Sequence, residues 1–139
     1  MKVLFLDVDG VLNSEAWFAV MPDVGMISVD PKAVARVLRV VRKTSAAIVL
    51  SSMWRTSPGA VRYLTQQGLV IHDTTPLSFY RPRRHEIQQW LDAHPEVTAY
   101  AIIDDDPDAE IPGHFVLTSW ERGMTTTHEK ALREILGAK

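Results

Sequence analysis

The chain alternates short, continuously apolar runs with longer segments in which apolar side chains recur every three or four positions. The first run is Val3, Leu4, Phe5 and Leu6, within the stretch KVLFLDVDGVLN at residues 2–13. It stops at two carboxylates, Asp7 and Asp9, with Gly10 behind them. Unbroken apolar strands belong to parallel sheets buried on both faces, and ligand sites in such sheets lie beyond the carboxyl ends of the strands. A strand is therefore expected over residues 2–8, with both acids at the active edge. Buried carboxylates are costly unless paired, hydrogen-bonded or bound to a cation. A cation is expected beside them.

Residues 13–29 carry no period; they contain Pro22 and Gly25, with Trp17, Phe18 and Met21 near the start. This stretch reads either as a flap over the strand end or as a lid on the core. Asp30-Pro31 has the form of an N-cap followed by proline at the first helical position. Val34, Val37, Leu38 and Val41 then recur at helical spacing, with Arg36, Arg39, Arg42 and Lys43 on other faces. A solvated helix face with a cationic C-terminus explains that basic set better than a nucleic-acid patch does. Residues 46–50 form a second apolar strand ending in Ser51-Ser52. Ser57-Pro58 opens a second helix through Val61 and Leu64, stopped at Gly68. Residues 69–71 predict a third strand and residues 73–84, with two prolines, a loop. A third helix carries Ile87, Trp90 and Leu91 and ends before Pro95. Residues 100–103 are a fourth strand running into Asp104, Asp105, Asp106 and Asp108, and residues 115–117 a fifth. Thr126 and Glu129 have capping-box spacing for a last helix with Ala131, Leu132, Ile135 and Leu136. Strands alternating with helices predict an α/β fold of three layers, Rossmann-like, around a central parallel five-stranded sheet.

Composition narrows the picture. A chain of 139 residues with 46% apolar content predicts one domain spanning residues 1–139. A formal charge of -2 provides no global field for a polyanion, so a nucleic-acid role needs a local basic patch. With no cysteine there is no disulfide framework and no thiolate metal site. The first apolar run is broken by Asp7 and Asp9, which excludes a signal peptide or membrane span there and predicts a soluble, cytoplasmic protein. The five histidines lack metal-like spacing and read as surface or capping residues.

The chemistry gathers at one predicted sheet edge: Asp7 and Asp9 after the first strand, Ser51 after the second, Asp104 and Asp105 after the fourth, and the basic loop of Arg81, Arg83 and Arg84 at the third helix. In this order LFLDVDGVLN, AIVLSS, RPRRHEI and YAIIDDDPD resemble the four motifs of the phosphatase branch of the haloacid dehalogenase (HAD) superfamily. SSMWR, HEIQQWL and RGMT make the chain similar, more closely, to the small HAD domains associated with RNA repair proteins. The resemblance implies a phosphohydrolase in which Asp7 is the nucleophile and forms an aspartyl-phosphate. Asp9 is then the acid and base, Ser51 a hydrogen-bond donor to the phosphoryl group, and Arg83 its counter-charge. It also implies Mg²⁺ held by the carboxylate of Asp7, the backbone carbonyl of Asp9, Asp104 and water, with Asp105 or Asp108 as the second acid. Arg83 is favoured over Arg81 and Arg84 because similar sequences carry the basic residue four positions before Ile87. Ser52, Arg55 and Arg84 are expected to bind substrate, although an ion pair of Arg55 with Glu86 is an equal alternative. Asp106 is expected as a cap or a solvated residue.

Val11 stands where threonine is frequent in the first motif, which leaves the acids intact. Asp9 argues for phosphate ester chemistry over dehalogenation. Neither gap between motifs has room for a cap domain. An uncapped site implies a large substrate such as a nucleic-acid end, on whose bases Trp17 and Phe18 could stack. The competing readings are a receiver-like phosphoacceptor switch, with its acceptor at Asp73, a metal-dependent nuclease using the same acids, and a binding module without turnover.

Overall fold

The computed structural model describes residues 1–79 and 81–137. Its sheet has five strands: β1 (Lys2–Leu6), β2 (Ala47–Leu50), β3 (Ile71–Thr74), β4 (Ala99–Asp104) and β5 (Phe115–Leu117). Their order is β3-β2-β1-β4-β5, and every pairing is parallel. The expected Rossmann-like architecture is therefore present, with β1 at its centre.

The helices are α1 (Glu15–Val20), α2 (Pro31–Thr44), α3 (Pro58–Gln66), α4 (Arg83–Asp92) and α5 (Thr126–Ile135). Successive residues of a strand face opposite sides of the sheet, and β1 serves two cores in this way. Leu4 and Leu6 join Val34, Val37, Leu64 and Leu132 from α2, α3 and α5. Val3 and Phe5 join Ile87 and Trp90 of α4, with Phe5 edge-on to the Trp90 ring. Three helices thus cover one face, and α4 and the turn Pro107–Ala109 cover the other.

The local signals behave as their chemistry dictates. Asp30 accepts from the backbone N–H of Lys32, with Pro31 opening α2. Two of the arginines on α2 are spent inside the fold: Arg36 donates to the Met124 carbonyl and Arg39 pairs with Glu129 on α5 at 2.8 Å. The third strand begins later than its apolar residues suggest. Leu69 is buried in the turn before it and Val70 is 80% exposed, while His72 and Asp73 lie within the strand. The last helix starts one residue earlier than expected. Thr125 is the N-cap and His128, not Glu129, closes the capping box.

Residues 7–30 form no cap domain. They hold one short helix and a flap fixed by Trp17 Nε1–H to Ser28 Oγ and by Asn13 Nδ2–H to the Ser28 carbonyl. Among the described residues no helix is long and apolar enough to cross a membrane.

Candidate active site

The carboxyl ends of β1 and β4 are adjacent, and their pairing brings the acids together. Asp7 N–H donates to the Ile103 carbonyl, one residue short of Asp104. Carboxylate oxygens of Asp7, Asp104 and Asp105 all lie within 4.8 Å of one another. Asp7 and Asp104 are buried. Burial and the neighbouring Asp104 push the Asp7 carboxyl up to about 9, against an opposing pull from Arg83. Burial, with Asp104 next to it, also raises Asp105. Three crowded carboxylates of this kind form a hard-oxygen donor set that fits a divalent cation.

Arg83, the first residue of α4, answers part of that charge. Its Nη1 lies 3.0 Å from Asp7 Oδ1 and 2.6 Å from Asp104 Oδ2. The helix start is held by Asp108, whose Oδ2 accepts the Arg83 backbone N–H at 3.2 Å. Asp108 therefore anchors the basic residue and stands outside the cluster of Asp7, Asp104 and Asp105. Asp106 caps the turn Pro107–Ala109 by accepting from the Asp108 N–H. Arg84 and Arg81 are exposed, and Arg84 makes no ion pair among the described residues.

Ser51 follows β2, its N–H bonded to the Leu6 carbonyl. Its Oγ is buried without a hydrogen-bond partner. Buried hydroxyls are normally satisfied, so this one suits a group that arrives from outside. Ser52 does not share that property. Its Oγ accepts the Trp54 N–H at 3.0 Å and caps the turn Met53–Thr56. Arg55 is likewise turned inward. It pairs with Glu86 at 3.0 Å, the two side chains 3% and 7% exposed, and donates to the carbonyls of Ser51, Ser52, Thr75 and Pro76. The ion-pair alternative is the observed one.

Asp9 is exposed and its carboxylate lies outside the acid cluster. Oδ2 accepts from Trp54 Nε1–H at 3.1 Å and Oδ1 from Asn13 Nδ2–H at 2.9 Å. Neither donor was singled out from sequence. An indole beside a strand end reads as core, and only a polar partner on a different element distinguishes it. Trp17 is tied to Ser28, and Phe18 packs near Trp120 with ring centroids 6.0 Å apart. Asp73, the acceptor required by the receiver-like reading, lies on edge strand β3 and accepts from Trp90 Nε1–H at 2.8 Å, away from the acids.

Gly10 makes the crowding possible. Its φ is +79°, and a methyl group on its Cα would collide with the Asp105 carboxylate. Gly10→Ala is expected to displace Asp105 and weaken divalent-cation binding about 10- to 100-fold, the usual loss when the support of a ligand is disturbed. Calorimetric titration of the cation into both proteins checks this, and unchanged affinity would exclude Asp105 from the donor set.

Comparison with curated proteins and with solved structures yields no match. The family described as "HAD domain in Swiss Army Knife RNA repair proteins" matches residues 3–128. That span runs from β1 into the first turn of α5 and takes in every acid, hydroxyl and arginine of the site. On this match the chain belongs to the HAD superfamily, in the family of HAD domains found in Swiss Army Knife RNA repair proteins.

Proposed function

We propose that the chain is a Mg²⁺-dependent phosphohydrolase that works through an aspartyl-phosphate on Asp7 and acts on a terminal phosphate of a nucleic acid. Membership of the HAD superfamily supports phosphohydrolase activity in general. The observation that carries the finer reading is the meeting of three kinds of group at one sheet edge. These are the acid cluster of buried Asp7 and Asp104 with half-buried Asp105, the Arg83 guanidinium against two of them, and the Ser51 hydroxyl, unpartnered among the described residues.

The chemistry follows from these groups. A carboxylate oxygen of Asp7 attacks phosphorus, and the bond from phosphorus to the ester oxygen breaks. The electron pair stays on that oxygen, which takes a proton from Asp9. In the second half Asp9 takes a proton from water, the water oxygen attacks phosphorus, and the bond to Asp7 breaks to release inorganic phosphate. Arg83 and the Ser51 hydroxyl stabilise charge on the transferring group. A bound Mg²⁺, held by Asp7, Asp104 and Asp105 and in this reading by the Asp9 backbone carbonyl, would offset repulsion between carboxylate and phosphate dianion.

The nucleic-acid substrate is supported by the RNA-repair setting of the family and by the open site, over which the described residues place no cap. Exposed Arg81 lies beside α4 on a polar groove of about 460 Å³ with Ser78, His85, Gln88, Gln89 and Asp92. Arg81, with exposed Arg84 near it in sequence, would supply the local positive charge that the net charge does not provide. The test is phosphate release from 3′- and 5′-phosphorylated oligonucleotides and from p-nitrophenyl phosphate, with Mg²⁺ and with EDTA. The expected result is Mg²⁺-dependent release, much faster from an oligonucleotide than from the small ester. Equal or slower turnover of the oligonucleotides would remove the nucleic-acid reading. Cleavage of an unphosphorylated strand that survives loss of Asp7 would replace the phosphatase by a nuclease.

A further inference from the structure

We infer that Trp54, together with Asn13, is a positioning residue for proton transfer, holding Asp9 aimed at the reacting phosphoryl group without the closure of any cap. The inference rests on the role of Asp9 proposed above.

An exposed carboxylate on a loop ordinarily samples several rotamers. Asp9 is held at both oxygens by donors from two different segments, Asn13 in the loop after β1 and Trp54 in the turn after β2. Both donors are themselves fixed. Asn13 is buried, its Oδ1 accepts the Gly10 N–H at 3.0 Å, and its Nδ2 also donates to the Ser28 carbonyl. Trp54 is 8% exposed, its N–H is capped by Ser52, and its ring packs near Tyr63 at a centroid distance of 6.4 Å. Arg55 ties the same turn to the ends of β2 and β3.

The Trp54 indole thus reaches the acid from a rigid support, and the indole N–H is its one polar side-chain group. An ionised carboxylate has about four acceptor positions. The two N–H bonds occupy two of them and leave one on each oxygen for exchange of a proton with the leaving oxygen or with water. Enzymes with caps can bring a group into place on closure. The described residues form no cap, and fixed donors give the same preorganisation at rest.

A purely packing role for Trp54 makes a different prediction, and the leaving group separates the two. Nitrophenolate departs with little need for a proton, whereas an alkoxide needs one. Trp54→Phe keeps the ring and deletes the donor. In single-turnover experiments with Mg²⁺, release of the alcohol from an alkyl phosphate is expected to slow at least about tenfold, part of the effect of general acid catalysis. Release of nitrophenolate from p-nitrophenyl phosphate is expected to change less than about threefold, again because it gains little from the acid. Combining Trp54→Phe with Asp9→Asn is expected to add nothing to the loss from Asp9→Asn alone. If the phenylalanine variant does not fold, benzothienylalanine at position 54, a bicycle of the same shape without the N–H, serves in its place. Equal slowing of both esters, no slowing, or additive losses would overturn the inference. A wild-type protein inert toward every phosphate ester would instead overturn the phosphatase reading, and this inference with it.

Discussion

Asp7→Asn is expected to abolish phosphate release and, in the absence of metal, to make the protein more stable. The first effect follows from the nucleophile role proposed for Asp7 and is expected to be at least about a thousandfold in rate. The second follows from burial. In the fold the Asp7 carboxyl titrates near 9, against 3.8 for the free group, because it is desolvated and faces Asp104. A carboxyl raised in this way contributes its full stability below pH 3.8 and loses it as pH rises toward 9. At pH 7 the metal-free fold must take up a proton at Asp7 that the unfolded chain has released, which costs roughly 4 kcal/mol at most. The asparagine side chain needs no such proton, and Arg83 keeps Asp104 as a partner. Thermal unfolding in EDTA should therefore show Asp7→Asn melting roughly 5–10 °C above wild type at neutral pH. The gap should close toward pH 4 and widen toward pH 9. Saturating Mg²⁺ should raise the wild-type midpoint and move the variant little, since a ligand stabilises the state that binds it. A wild type more stable than the variant in EDTA at pH 8 would contradict the burial argument.

The other large effect is expected from Arg55, and it concerns stability before catalysis. Arg55→Ala removes the cation from a buried pair and leaves the Glu86 carboxylate, 7% exposed, with the Ser78 N–H as its remaining donor among the described residues. Breaking a buried ion pair from one side costs about 3–5 kcal/mol. Four backbone carbonyls also lose the guanidinium that joins the ends of β2 and β3. Lysine, with one compact head, cannot replace that fork. Urea unfolding is expected to show a much lower midpoint with an unchanged slope, and Glu86→Gln in the same chain should recover part of the loss. A variant of normal stability whose KM alone rises would restore Arg55 to the substrate site.

These two residues also mark how far the sequence could be read. Asp7 was legible because an apolar run ending in acids has few physical explanations. The same holds for β2 with Ser51 and β4 with Asp104. Arg55 stood equally between a phosphate and Glu86, since the partner lies on a helix whose docking no local pattern specifies. The start of β3 was misplaced because an edge strand is only half covered, so Leu69 and Val70 carried more apolar signal than His72 and Asp73. Asp108 could be named as an acid but not assigned its helix. Trp54 and Asn13 were invisible as supports of Asp9 because their partner lies across a fold that spacing does not encode.

The central place of β1 has a consequence for how the chain acquires its reactive edge. Lys2 pairs with Ala99 and Leu6 with Ile103, so the strand bearing Asp7 meets the strand bearing Asp104 across most of the chain. Such distant pairings carry a large loop-closure cost and form slowly. β2 can cover one edge of nascent β1 early, but its other edge stays unpaired until β4, made much later, reaches it, a state prone to association with other chains. Assembly of the acid cluster is in this sense a late event, and no half-folded species that lacks docked β4 holds the three carboxylates together.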